Sequence, residues 1–157
     1  YELPEDYLQQ NLHYYLQRTS HGSTLSRVVH SYLASLIGNR KLSWELYNEA
    51  LQSDYVDIQG GTTGEGIHAG VMAGTVLIAL NTFAGLNLKH DIPVFNPDMP
   101  DHWRTISFNF HFKGKKYECI VEKDALKVKF IGSGKQTIRI NGNSHHLTSD
   151  KERKIKF

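Results

Sequence analysis

Residues 91–112 read DIPVFNPDMPDHWRTISFNFHF, and the chain changes its period inside this stretch. Pro93, Pro97 and Pro100 forbid a regular helix, because each fixes φ and lacks a backbone N–H. Beyond them Ile106, Phe108, Phe110 and Phe112 alternate strictly with Thr105, Ser107, Asn109 and His111. That is the period of a half-buried strand. Lys113 and Gly114 then turn the chain into a second strand, from Tyr117 to Glu122, and Leu126, Val128 and Phe130 alternate with Lys127 and Lys129 in a third. Residues Gln136 to Ile140 give a fourth, ended by Asn141-Gly142, a dipeptide suited to a tight hairpin. The run from Lys151 to Lys156 reads as a solvated, basic terminal strand. A small antiparallel sheet or sandwich is the expected result.

Upstream of the prolines the period is helical. Leu8, Leu12, Tyr15 and Leu16 share one face, and Leu42, Leu46, Tyr47, Ala50 and Leu51 form another such stripe. Between them Leu25, Val28, Val29, Tyr32, Leu33 and Leu36 follow the i, i+3, i+4, i+7 template of an amphipathic helix. A fourth helix is predicted from about Glu65 to Leu86, apolar nearly all round and rich in Gly and Ala. Such a helix has to be covered on most sides. Its small residues, Gly66, Ala69, Gly70, Ala73 and Gly74, cost helix propensity, up to about 1 kcal/mol per Gly. Close approach of a backbone or a ligand must offset that. Four helices of this kind cannot hide their core behind one small sheet, which implies further helices from an upstream region or a partner chain. The expected organisation is therefore α then β, with helices over 1–90, a connector over 91–103 and a sheet domain over 104–157.

Composition narrows the function classes. In 157 residues, 39% are hydrophobic and 22% charged, with a net charge of +2. Global disorder is excluded, and the near-balance of charge argues against a dedicated nucleic-acid binder. The longest apolar run, Ile67 to Leu80, is too short to span a bilayer. Cys119 has no partner for an intrachain disulfide, which fits a reducing, cytoplasmic setting. The chain opens on Tyr1 with no charged-then-apolar segment, so it reads as a piece of something larger.

The stretch 57–75, DIQGGTTGEGIHAGVMAGT, carries the chemistry. Glycines at 60, 61 and 64 clear side chains away, Thr62 and Thr63 offer hydroxyls, and a helix start leaves N–H groups without intrahelical partners. This is a candidate anion site, with His68 placed in the first turn to donate a further bond. The competing reading is a capping box between Thr62 and Glu65, and the two can coexist. A second loop, RTSHGSTLS at 18–26, also precedes a helix; Ser23 or Thr24 as an ordinary N-cap is its plain reading. Helices alternating up and down would place both loops at one end of the array. His145-His146 lacks acidic or thiol companions at metal spacing, Cys119 reads as a small core residue, and Trp44 and Trp103 read as packing anchors. No Gly-Lys-Ser/Thr follows the glycine-rich loop, which disfavours a P-loop kinase.

Three blocks together, HGSTLSRVVHSYLA at 21–34, SDYVDIQGGTTGEGIHAGVMAGTV at 53–76 and FNPDMPDHW at 95–103, closely resemble the C-terminal third of glycoside hydrolase family 65. That resemblance implies the closing helices of an (α/α)6 toroid followed by a small β-sheet domain. It further implies an inverting phosphorylase acting on a disaccharide α-glucoside, with inorganic phosphate as co-substrate and no cofactor or metal. His68, Thr62, Thr63, Gly64, Ser23, Thr24 and His21 are the phosphate-site candidates by motif match. The general acid would lie in an earlier segment, leaving this chain inert alone, and the complete protein would be a homodimer with no nucleic-acid or membrane partner. A related hydrolase using water and a non-catalytic carbohydrate-binding or assembly module are the alternatives. Gln17 stands where relatives often have Pro, a minor departure.

Overall fold

The structure is a computed structural model and describes residues 4–19, 24–57, 64 and 66–157. Its elements run α1 (Glu5–Leu16), α2 (Thr24–Leu36), α3 (Arg40–Gln52), α4 (Ala69–Ile78) and a π-helical turn (Ala79–Phe83). Eight strands follow: β1 (Leu86–Asn87), β2 (Val94–Phe95), β3 (Thr105–Phe112), β4 (Lys115–Glu122), β5 (Ala125–Ile131), β6 (Lys135–Ile140), β7 (Asn143–Thr148) and β8 (Arg153–Lys156). Helices followed by sheets are what the change of period predicts. The chain divides into two compact units, Tyr1–Ile78 and Ala79–Phe157. The second unit therefore starts earlier than the expected connector, because residues 86–87 and 94–95 are strands of a sheet.

In the helical unit, Gly38 at φ +73 ends α2 and Asn39 caps α3, its side chain accepting from the Leu42 amide at 3.1 Å. A left-handed glycine followed by an Asn cap is the local chemistry of a short helix–helix turn. Across that hairpin the Ser31 hydroxyl donates to the Ser43 carbonyl at 2.8 Å, and the Arg27 Nε donates to Glu49 at 2.8 Å. The face of α2 that is buried is thus Arg27, His30, Ser31 and Ala34. The apolar stripe expected to be the core face is mostly exposed, with Leu25 at 52% and Val29 at 53%. Small side chains win the contact with α3 because Ser31 and Ala34 let the two backbones come close. The helix α4 uses the same device against α2. A Cβ on Gly74 would sit 2.6 Å from Val28 Cγ1, and one on Gly70 would sit 3.7 Å from Leu25 Cδ2.

That helix is shorter than the sequence suggests. Gly66 holds φ +95 and α4 begins at Ala69, while Gly85 at φ +67 closes the π-helical turn and Leu86 enters β1. Among the described residues α4 is packed on one side, through Val71, Gly74, Thr75 and Ile78, and Leu77 remains 55% exposed. Among the described residues no helix is long and apolar enough to cross a membrane.

The second unit holds two four-stranded sheets, ordered β1-β2-β6-β7 and β3-β4-β5-β8. The expected alternation in β3 is present: Ile106, Phe108, Phe110 and Phe112 turn toward the core and their polar neighbours are exposed. Both predicted two-residue turns have positive φ at each position, Lys113 and Gly114 at 47° and 74°, Asn141 and Gly142 at 45° and 84°. That is the type I′ geometry whose twist matches the strands. One pairing departs from a wholly antiparallel arrangement, since β2 runs parallel to β6. The intervening chain builds three strands of the other sheet before β6 forms, which supplies the long crossover that parallel pairing requires.

The core joins both sheets. Phe95, Ile138, Ile140 and Leu147 come from one, and Tyr117, Val121, Leu126, Val128 and Phe130 from the other, all at most 1% exposed. Phe110 stacks on Tyr117 at 4.8 Å between centroids and meets Phe95 at 6.2 Å, linking the layers into a sandwich. Cys119 lies in this core, and burial pushes its thiol up to about 12.

Candidate functional site

The site is assembled at one end of the helical unit. Leu25 is the second residue of α2 and Gly70 the second of α4, and they adjoin, as do Val28 and Gly74 further along. The two helices therefore run in the same direction with their starts side by side. Between them α3 runs the other way, so its C-terminus arrives at the same end. The starts of α2 and α4, at Thr24 and Ala69, therefore share one end of the unit.

His68 stands immediately before α4, at the N-cap position and not in the first turn. Its carbonyl accepts from the amides of Val71 and Met72 at 2.9 and 3.1 Å. The backbone amide of His68 donates to Asp54 Oδ2 at 2.8 Å, and its ring Nδ1 donates to Asp54 Oδ1 at 2.6 Å. One carboxylate thus holds both the main chain and the ring of one residue. The Asp54 side chain is 11% exposed and that of His68 30%, so the carboxylate is the more sheltered of the two.

Asp54 is placed by the end of α3. Ser53 is buried at the C-cap, its hydroxyl donating to the Ala50 carbonyl at 2.8 Å, and the amides of Tyr55 and Val56 both return to the Gln52 carbonyl at 2.9 and 2.8 Å. Those bonds close the last turn and leave the Asp54 carboxylate facing the start of α4. An ionised carboxylate only accepts, so Nδ1 carries the hydrogen in this pair. The ring then meets any further group through Nε2, as an acceptor when neutral and as a donor when doubly protonated. Arg27, one turn into α2, directs its Nε at Glu49, so a carboxylate already balances that buried cation.

Of the residues selected by sequence, His68 is placed as a chemical group, Gly64 is exposed, and Thr24 opens α2. His21, Ser23, Thr62 and Thr63 lie outside the described residues, as does Glu65, so the capping-box reading falls there too. Sequence reading passed over Asp54. It sits inside a block quoted for its resemblance, but nothing in a spacing of fourteen residues marks a carboxylate as the partner of His68. His145 and His146 lie on β7, where His146 Nδ1 is 3.1 Å from the Thr137 hydroxyl and burial, with Arg153 and His146 nearby, lowers the pKa of His145. Trp44 stacks on Tyr47 and Trp103 packs edge-on against Phe83, both as packing anchors.

Residues 1–77 match the glycosyl hydrolase family 65 central catalytic domain, and residues 86–147 match the family 65 C-terminal domain. The chain belongs to glycosyl hydrolase family 65. Among family 65 relatives it is 44% identical over 126 residues to trehalose 6-phosphate phosphorylase of Lactococcus lactis, covering 80% of this chain and 16% of the relative. It is 31% identical over 156 residues to α,α-trehalose phosphorylase of Geobacillus stearothermophilus, covering 99% of this chain and 20% of that one. A solved structure titled "Putative kojibiose phosphorylase from human microbiome" superposes with a TM-score of 0.83 at 29% identity, over 99% of this chain and 22% of its own. The chain thus spans at most about a fifth of the length of these relatives. The family 65 assignment agrees with the α then β architecture, and the boundary between the two matched domains brackets the division between the compact units.

Proposed function

We propose that this chain is the C-terminal part of an inverting α-glucoside phosphorylase, and that its paired helix starts hold inorganic phosphate for attack on the anomeric carbon. The observation that carries this reading is His68, fixed by Asp54 at the N-cap of α4 beside the start of α2. Two parallel helix starts present partial positive charge to an oxyanion, and an imidazolium adds a charge-assisted donor. The relatives named as phosphorylases support it, as does the exposed apolar face of α2, which suits a chain that continues into further helices.

In this mechanism a carboxylic acid from a preceding segment gives its proton to the glycosidic oxygen as the C1–O bond breaks. A phosphate oxygen forms the new bond to C1 from the opposite face, and β-glucose 1-phosphate leaves. Where an inverting hydrolase leaves room for water between two carboxyl groups, phosphate here takes that position and no protein base is needed. The work of this chain is positioning: it holds the nucleophile in line and offsets its charge.

The full-length protein is expected to release β-glucose 1-phosphate from an α-glucoside only when phosphate is supplied. Equal sugar release without phosphate would indicate the hydrolase, and saccharide binding without turnover would indicate a binding module. Replacing His68 by Ala should raise KM for phosphate about 10- to 100-fold, the value of one charge-assisted hydrogen bond of roughly 1.5 to 3 kcal/mol. The KM for the disaccharide should stay within about twofold of its original value.

A further inference from the structure

The geometry points to Asp54 as a positioning residue for the nucleophile site, acting on phosphate through His68; this rests on the phosphate reading above. Three observations carry it. Asp54 Oδ1 and Oδ2 each accept a bond from the same residue, at 2.6 Å from the ring and 2.8 Å from the backbone. The carboxylate is nearly enclosed, at 11% exposure, whereas the ring it holds is 30% exposed. Its own position is fixed by the closed end of α3 through Ser53, Tyr55 and Val56.

The consequence is chemical as well as geometric. With Nδ1 donating to a carboxylate, the ring can donate from both nitrogens at once, to Asp54 on one side and to an oxyanion through Nε2 on the other. The carboxylate compensates the imidazolium that such an arrangement needs, and the backbone bond ties the main chain of His68 to the same group. The two donors reach different oxygens of Asp54, and an Asn puts an NH2 group in place of one of them, so in this geometry it accepts from only one of the amide and Nδ1. It would force Nδ1 to accept, or leave one of the two donors without its partner. In either case the two-donor cation is lost while the side-chain volume is kept. Groups that orient metal-bound histidines are typically worth 10- to 100-fold, and an effect on the order of tenfold is expected for a carboxylate that orients a phosphate-binding one.

The experiment is a double-mutant cycle on the full-length enzyme, with Asp54→Asn, His68→Ala and the pair, measuring KM for phosphate, KM for the disaccharide, kcat and Tm. Asp54→Asn is expected to raise KM for phosphate about tenfold and to leave the disaccharide KM within about twofold. Added to His68→Ala, it should change the phosphate KM by less than about twofold, since its effect passes through a ring no longer there. A full, multiplicative effect in the His68→Ala background, or an equal rise in both KM values, overturns the proposal. If Asp54→Asn lowers Tm below the assay temperature, the cycle is repeated with Asp54→Glu, which keeps the charge but is one methylene too long to bridge both donors. A phosphate KM unmoved by His68→Ala overturns the phosphate reading itself and this inference with it. A phosphate KM moved by His68→Ala but not by Asp54→Asn overturns only the role of Asp54.

Discussion

The two units of this chain have solved the burial problem to different degrees. In the sheet unit, side chains as large as Tyr117, Phe95, Phe130 and Leu126 are wholly inside, and few large apolar groups face out. In the helical unit the long apolar side chains are largely outside: Leu25, Val29, Tyr32 and Leu36 on α2, Val76 and Leu77 on α4, and Tyr14 and Tyr15 on α1. The difference teaches that local periodicity says which residues want burial and not whether the chain at hand provides it. A sandwich closes on itself with two faces, whereas each helix of a larger array needs neighbours on several sides.

The largest effect expected from this contrast is separability. Residues 79–157 expressed alone should give a single cooperative thermal transition by circular dichroism, while residues 1–78 alone should bind a hydrophobic dye and lack a near-ultraviolet signal. A sharp, dye-free transition from residues 1–78 would break the comparison.

Glycine substitution sharpens it. Gly85 is at φ +67, and a Cβ there would lie 2.1 Å from the carbonyl carbon and oxygen of Asn96, so Gly85→Ala forces β1 away from the segment following β2. We expect a cost on the order of 3 kcal/mol or more, read as a fall in the urea midpoint of the sheet unit. Gly74→Ala meets only the Val28 side chain and gains helix propensity. Overpacking should leave a net loss of about 1 to 2 kcal/mol, seen in the complete protein. A larger loss at Gly74 than at Gly85 would contradict the view that the sheet unit is the tighter of the two.

The smallest effect concerns charge on the sheet. Lys127 and Lys154 both hydrogen-bond Glu122 and hold its carboxyl below the usual range, and Glu122 in turn raises Lys154. A lowered carboxyl contributes stability above the unfolded value of 4.5 and loses it as pH falls through the folded value. A raised lysine contributes below 10.5 and loses its share as pH rises through the folded value. These partly exposed groups should therefore give a shallow plateau between those limits. Glu122→Gln should flatten the acid limb of a urea-midpoint against pH curve, and an unchanged acid limb would remove Glu122 from the account.

Much of the sheet unit was legible because its signals are short-range. Strict alternation in 105–112 and the two-residue turns at Lys113-Gly114 and Asn141-Gly142 each depend on backbone preferences within a few residues. The short strand at 94–95 was hidden in a proline-rich stretch that reads as connector, since two residues show no period. In the helical unit the stripe on α2 was read correctly as apolar, yet the hairpin with α3 was made by Arg27, Ser31 and Ala34. Close approach outweighed side-chain area there. The candidate site was half legible: a glycine-rich entry to a helix and a histidine are local features, and Asp54 is not.

The sequence by itself determined the switch from helices to strands, the hairpin turns and the residue at the start of α4 with chemistry to offer, because periods and turn conformations are set by neighbours along the chain. The tertiary structure alone decided which face of α2 is covered, that β2 runs parallel to β6, and that the carboxylate ending α3 grips His68. Each of these is a choice among contacts between distant residues, settled by backbone approach and by the partners that buried donors and acceptors must find.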